Sequence, residues 1–251
     1  MPAKVRLNKF LRDCYQGSRR KCEDLIRGGL VTIDGEQVTE LATLVDPECQ
    51  RVEVSGKPVT PFADMIYIAA NKPRGIVVTA SDPRGRKTIY DGIGNLPAGI
   101  FSVGRLDMDS EGLVILTNDG KLAFRLAHPR YGVERVYEVQ VKGKIGRDLV
   151  GGLTKGVLLE EGVARAKRVE LLKQGQERGT LSLTLTEGKK REVRRMVAGC
   201  GYEVLRLKRV RFGNIALGRL RGGSWRNLVR DEVRGLRRLV QEAYEKSRSD
   251  D

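Results

Sequence analysis

The sequence predicts an α+β chain of two domains. Three observations carry that expectation: apolar residues at helical spacing near the N-terminus followed by short alternating strands, a proline-containing break near residue 60, and a long remainder in which short apolar runs alternate with polar loops. Leu7, Phe10 and Leu11 recur at i, i+3, i+4 and predict a first helix. Gly17 interrupts it, and Ser18 is the predicted N-cap of a second helix through Arg27, with Cys22, Leu25 and Ile26 as its apolar face. Gly28-Gly29 ends that helix, Leu30 to Ile33 reads as a strand, Asp34-Gly35 as a hairpin turn and Gln37-Val38 as the return. Arg51 to Val54 alternates like another strand. Ser55 to Phe62 holds two prolines and a glycine and is the predicted linker; the apolar stretch Met65 to Lys72 then starts a second domain. The predicted domains are residues 1–60 and 61–251.

Composition bounds the function. The chain has 251 residues, 47 Lys+Arg against 32 Asp+Glu, a formal net charge of +15, and 40% apolar residues. That apolar content suits a folded chain rather than a disordered one. Apolar runs such as Leu113 to Leu116 fall far short of the ~20 residues a membrane span needs, and no apolar run follows the charged start, so a cytoplasmic protein is expected. The charge excess narrows the partners to polyanions. It is uneven: Lys4 to Arg27 holds eight basic and three acidic residues, Glu187 to Arg221 eleven and three, whereas Gly28 to Thr60 is acidic. Cys14, Cys22, Cys49 and Cys200 form no CxxC pair and His128 is the single histidine, so neither a zinc site nor a Ser-His-Asp hydrolase is expected, and the thiols should be reduced and mostly buried. With aromatics at 5%, a stacking platform of the RRM kind is not expected either.

The first domain carries a resemblance. Arg6 to Leu11, Ser18-Arg19-Arg20-Lys21 and Leu25 to Gly35 follow one another as an RLxKFL start, an SRR turn and an I-x-x-G-x-V-x-V-N/D-G strand start. Residues 4 to 57 thus resemble the S4 RNA-binding domain. The resemblance implies that structured RNA is held by its phosphates on a basic helical face, with Lys9, Arg19, Arg20, Lys21 and Arg27 as contacts; a plain solvated helix surface is the alternative.

The second domain is most informative from Val103 to Gly120. Glycines at 104 and 112 bracket a loop of Arg105, Asp107, Asp109, Ser110 and Glu111, Leu113 to Leu116 reads as a buried strand, and Asn118-Asp119-Gly120 as a turn. Taken alone this could be a polar loop with an internal Arg105–Asp107 ion pair. The stretch resembles the GRLDxxSEGLLLLTNDG motif of bacterial rRNA pseudouridine synthases of the RsuA/RluB type. Asn71 to Gly75 is similar to their N-K-P-x-G strand end, Glu134 to Val139 to their K-x-Y strand, Glu187 to Met196 to their EGK-x-x-Q-V-R-R-M segment, and Gly223 to Leu228 to their closing G-x-W/Y-R-x-L. Together with the first domain, the resemblance spans nearly the whole chain in the family's order.

The resemblance implies a catalytic domain with a mixed, largely antiparallel sheet flanked by helices, and isomerisation of one uridine of ribosomal RNA to pseudouridine without metal or organic cofactor. It makes Asp107 the catalytic carboxylate, Tyr137 the tyrosine that stacks on the base, and Arg194 the partner that keeps Asp107 ionised. Arg105 would occupy the space left by the flipped base. Leu207 is the predicted apolar residue against that base. Val193, Met196, Val197 and Cys200 at helical spacing form a core face that leaves basic residues outside it. Lys189, Lys190, Arg191, Arg195, Lys208 and Arg209 are the expected RNA contacts there, with non-specific surface charge the equal alternative for Lys208 and Arg209. Arg191-Glu192 stands where many members have His-Gln, and Arg135 where many have Lys. A final helix is expected with Val233, Leu236, Val240 and Tyr244 on one side, fraying from Ser247. The substrate is expected to be ribosomal RNA, of the large subunit, free or in an assembling particle, and the protein a monomer. The rival reading is a non-catalytic S4-type ribosome assembly factor.

Overall fold

The computed structural model describes residues 4–61 and 64–249; Phe62 of the expected linker and Asp250 and Asp251 of the tail lie outside them. The chain divides into two compact units, one running to Met65 and including Pro97–Ile100, the other comprising Ile66–Leu96 and the chain from Phe101.

In the first unit, β1 (Val5–Arg6) leads into α1 (Leu7–Asp13) and α2 (Arg19–Arg27), followed by β2 (Val31–Ile33), β3 (Glu36–Val38), β4 (Leu44–Val45), β5 (Val52–Val54) and β6 (Lys57–Pro58). Ser18 caps α2 as expected, its hydroxyl accepting from the Lys21 amide at 3.2 Å. Asp34 and Gly35 both take positive φ, 52° and 90°, the twist a two-residue hairpin between β2 and β3 requires. Leu7, Phe10, Leu11, Cys22 and Ile26 close on Val31, Val45 and Val52 as one core. Burial pushes the Cys14 thiol up to about 12 and that of Cys22 to about 11, which keeps both protonated. Lys57–Pro58 is not linker: it pairs with β5 at the end of the sheet, where proline's missing N–H costs no bond.

The second unit is built on a nine-stranded sheet among the described residues. Its strands are β7 (Tyr67–Lys72), β8 (Phe101–Ser102), β9 (Glu111–Thr117), β10 (Arg135–Lys142), β13 (Arg168–Lys173), β14 (Arg178–Leu185), β15 (Val204–Phe212), β16 (Ile215–Ala216) and β17 (Trp225–Asn227); β11 (Val157–Leu159) and β12 (Gly162–Ala164) form a separate hairpin. The main path runs β13-β14-β10-β15-β9-β7-β17, and every pairing is antiparallel except β15 with β9, so the expected mixed, largely antiparallel sheet is present. The helices are α3 (Ile89–Gly92), α4 (Gly120–Ala127), α5 (Arg147–Lys155), α6 (Glu192–Gly199) and α7 (Arg230–Ser249). α4 and α7 cover Leu113, Ile115 and Phe212 with Leu122, Leu126, Leu236 and Val240.

Two local readings change. Asn118-Asp119-Gly120 is a helix start rather than a plain turn, because the Asp119 carboxylate accepts from the Leu122 amide at 3.0 Å and caps α4. α7 runs to Ser249, past the point where fraying was expected.

The parallel junction sets the tightest constraint. Gly112 lies opposite Arg209 and takes φ +108°; a Cβ there would sit 2.3 Å from the Arg209 carbonyl oxygen. Glycine is required on both grounds. Gly112→Ala is expected to lower unfolding free energy by about 2 kcal/mol or more in a denaturant titration.

Candidate active site

The loop Val103 to Ser110 connects two buried positions, Val103 and Ser110, and opens into a cavity of about 640 Å³. Arg105 and Asp107 line it from the loop, Tyr137 from β10, Leu207 from β15, and Lys189, Lys190 and Arg191 from the segment before α6. Tyr137 and Leu207 are 8% and 4% exposed and share one face of the sheet, since Tyr137 pairs with Arg209 and Val139 with Leu207. The structure therefore gathers Arg105, Asp107, Tyr137 and Leu207, which the sequence motifs had linked across about a hundred residues.

Asp107 is half-buried. Among the described residues its carboxylate makes no ion pair and accepts no hydrogen bond; only its main-chain oxygen is engaged, by the Ser110 amide at 3.1 Å. Arg105 is exposed and has no ion-pair partner among the described residues, so the internal Arg105–Asp107 bridge is absent. The partner expected for Asp107 is also elsewhere. Arg194 ion-pairs with Asp109 at 3.2 Å and donates to the Asp109 carbonyl at 3.0 Å and to that of Val204 at 3.2 Å. Arg191 grips the same carboxylate with two bonds of 3.0 Å. Burial opposes the charge on Asp109, but the Arg191 bonds and the Arg194 charge outweigh it and hold the carboxyl below its usual range. Asp109 lies in the motif's variable positions, so the motif gave no reason to select it. The charge of Asp107 still reaches Lys72, Arg191 and Arg194, favouring the protonated form of each.

The loop is held by its carbonyls. Lys72, fully buried at the end of β7, donates its three N–H groups to the carbonyls of Ile76 at 2.8 Å, Pro73 at 3.0 Å and Met108 at 3.3 Å. Burial lowers its pKa to about 8, against the opposing pull of Asp109, Asp107 and Glu111. The sequence reading passed over Lys72, because a lysine in a strand reads as surface. Arg135 is buried as well, at 6% exposure. Its fork donates to the carbonyls of Leu126 and Ala127 at the end of α4 and to those of Thr186 and Glu187, at 3.0 to 3.3 Å. A lysine could not span both sets.

The remaining basic residues sort themselves. In the first unit Arg19, Arg20, Lys21 and Arg27 are exposed and Lys9 is half-buried. At the cavity Lys190 is exposed and unpaired among the described residues, while Lys189 pairs with Glu187 at 2.9 Å. Arg195 is occupied by Glu161 through bonds of 2.8 and 3.0 Å. Lys208 points to the opposite face of the sheet from Leu207, beside Glu138. Arg209 is a correction: at 2% exposure it lies inside the sheet's covered face and cannot meet RNA in this structure. Two features escaped the sequence reading. Glu192, at 4% exposure, lines the cavity with Oε2 accepting from the Lys189 amide at 3.1 Å and Oε1 unpartnered. Burial, then Glu187, raises its pKa. The segment Val77 to Arg86 forms another wall, ordered by an Asp82–Arg86 fork at 2.7 and 2.9 Å.

A family model described as RNA pseudouridylate synthase matches residues 66–199, more than half of the chain, and one for the S4 domain matches residues 5–49. The chain belongs to the RNA pseudouridylate synthase family. It is 42% identical to an RNA pseudouridine synthase of Aquifex aeolicus over 241 residues, 96% of each chain. It is 39% identical to the ribosomal large subunit pseudouridine synthase B of Bacillus subtilis, over 94% of this chain and 96% of that one. A crystal structure of a pseudouridylate synthase superposes with TM-score 0.66 at 29% identity, covering 92% of this chain and 99% of the other. The synthase fold and the S4 module thus occur here in the order the motifs implied.

Two stability effects follow from the buried charges. Lys72 binds its proton more weakly in the folded state than in the unfolded one, so stability rises with pH from about 8 to 10.5. Denaturant titrations should show the wild type gaining up to about 3 kcal/mol on Lys72→Met across that range. Glu192 has the opposite sign: its raised pKa makes its charge a cost above the carboxylate range. Glu192→Gln is expected to raise the thermal midpoint at pH 7.5 and to lose that advantage at pH 4, where the wild-type carboxyl is protonated.

Proposed function

We propose that this synthase converts one uridine of ribosomal RNA to pseudouridine, with Asp107 as the carboxylate that acts at the target ribose. The observation that carries this reading is a carboxylate without a partner among the described residues, in a cavity floored by a buried tyrosine and leucine and edged by the likewise unpaired Arg105 and Lys190. In the reaction the N1–C1′ bond breaks, the uracil turns, a C5–C1′ bond forms, and the proton on C5 is lost while N1 gains one. An ionised Asp107 can attack C1′ or take a proton from C2′. Tyr137 would offer its ring to the base and take part in handling the C5 proton, and Leu207 would pack beside the base. Arg105 is long, cationic and unpaired, which suits filling the gap left in the RNA stack. Arg194 acts through Asp109, by fixing the loop that presents Asp107, rather than by pairing with Asp107.

The name of the Bacillus subtilis relative makes the large-subunit RNA the favoured substrate. A domain over residues 1–60 would hold that RNA through Lys9, Arg19, Arg20, Lys21 and Arg27, and a catalytic domain over 61–251 would add Lys189, Lys190, Arg191, Arg195 and Lys208 near the target. The protein would work as a monomer in the cytoplasm, on free ribosomal RNA or during particle assembly.

Pseudouridine mapping on ribosomal RNA from cells with and without the protein identifies the target. Asp107→Asn should bind that RNA with wild-type affinity and form no pseudouridine; retained turnover would overturn the assignment. Replacing Arg19, Arg20 and Lys21 together with Ala should weaken RNA binding and reduce the salt slope of log K by about one for each phosphate no longer neutralised. An unchanged slope would mark that helix face as merely solvated.

A further inference from the structure

Arg209 is costly where it stands. Its side chain is 2% exposed, no carboxylate lies within ion-pair distance among the described residues, and Nη2 is buried without a partner. A cation buried in a core without a carboxylate is unfavourable relative to a packed apolar side chain. What the charge secures is specific. Nε donates to the Leu113 carbonyl in β9 at 2.7 Å, and Nη1 reaches the Arg105 carbonyl at 3.4 Å. The guanidinium lies over the Phe212 ring, 5.4 Å from its centroid, which restricts its swing. On the backbone Arg209 is locked between Tyr137 on one side and Gly112 on the other. One side chain thus ties β15, the strand paired with Tyr137, to the loop two residues before Asp107. Lys72 and Arg194 hold the same loop by the carbonyls of Met108 and Asp109 on the other side of Asp107.

We propose that Arg209 is a positioning residue for the pseudouridine synthase reaction, holding the Arg105–Asp107 segment against the strand that carries the base-packing face, and that it makes no contact with RNA. The inference rests on the reading of Asp107 above. It separates Arg209 from its neighbour Lys208, which faces the other side of the sheet. The geometry needs both the charge and the fork: a lysine keeps the charge but lacks the rigid planar spread of donors that serves the Leu113 and Arg105 carbonyls together, and a methionine lacks both.

The experiment measures pseudouridine formation and RNA binding for wild type, Arg209→Lys and Arg209→Met, each checked for a cooperative unfolding transition. Displacement of a reacting group by about 1 Å costs on the order of 100-fold in rate. The expected result is kcat reduced about 100-fold in Arg209→Met and recovered about tenfold in Arg209→Lys, with KM, RNA affinity and the salt slope unchanged in both. Wild-type kcat in a folded Arg209→Lys and Arg209→Met overturns the proposal, as does weaker binding with a salt slope lower by about one at unchanged kcat, which would make Arg209 a phosphate ligand. Failure of Arg209→Lys to fold would assign the side chain to the sheet's core alone and also overturn it. Absence of turnover in the wild type would instead refute the reading of Asp107.

Discussion

The structure depends on cations buried against main-chain carbonyls. Lys72, Arg135 and Arg209 are each at most 6% exposed, and each donates to peptide oxygens rather than to a carboxylate. A carbonyl turned toward a buried cation is fixed in direction, because losing the bond would leave the charge without solvation. These bonds therefore stiffen segments that carry no regular structure. Lys72 joins the end of β7 to the loop before β9, Arg135 joins the end of α4 to the loop before α6, and Arg209 joins β9 to the loop of Asp107. The loop of Asp107 and the segment before α6, both of which line the cavity, are thus tied down at these points.

This arrangement explains how Asp107 can stay unpartnered in a basic protein. The nearby carboxylates absorb much of the local charge: Asp109 takes Arg191 and Arg194, Glu161 takes Arg195, and Glu111 takes Arg206. The more exposed of these pairs add little stability, but each fixes where its guanidinium points. Among the described residues Arg105 and Lys190 have no acidic partner at the cavity. The net charge of +15 thus divides into cations that hold the protein together and cations that stay available for a polyanion.

The glycine in the Ser110-Glu111-Gly112 stretch shows how a motif can be structural and functional together. Gly112 allows the parallel pairing of β15 with β9, which places Arg209 beside the loop, while the pairing of β15 with β10 sets Leu207 and Tyr137 on one face. A bulkier residue would push β15 away from β9 and move the floor of the cavity relative to Asp107.

Much of this was legible in the sequence. Local periodicity and capping set α1, α2 and the hairpin after them, since those elements are decided by neighbours three or four residues away. The motif order marked Asp107, Tyr137 and Leu207, because their residue types recur at fixed distances within short segments. Alternation along β15 even carried an unused signal: if Leu207 faces the cavity side, Arg209 shares that face and Lys208 does not. What only the tertiary structure decided was the fate of each charge. Whether a lysine or arginine is buried, and whether Arg194 meets Asp107 or Asp109, depends on sheet register and on contacts spanning 85 residues or more, such as Arg194 with Asp109. A cation's type and neighbours in sequence look the same in either case, and only the packing around it determines which oxygen it can reach.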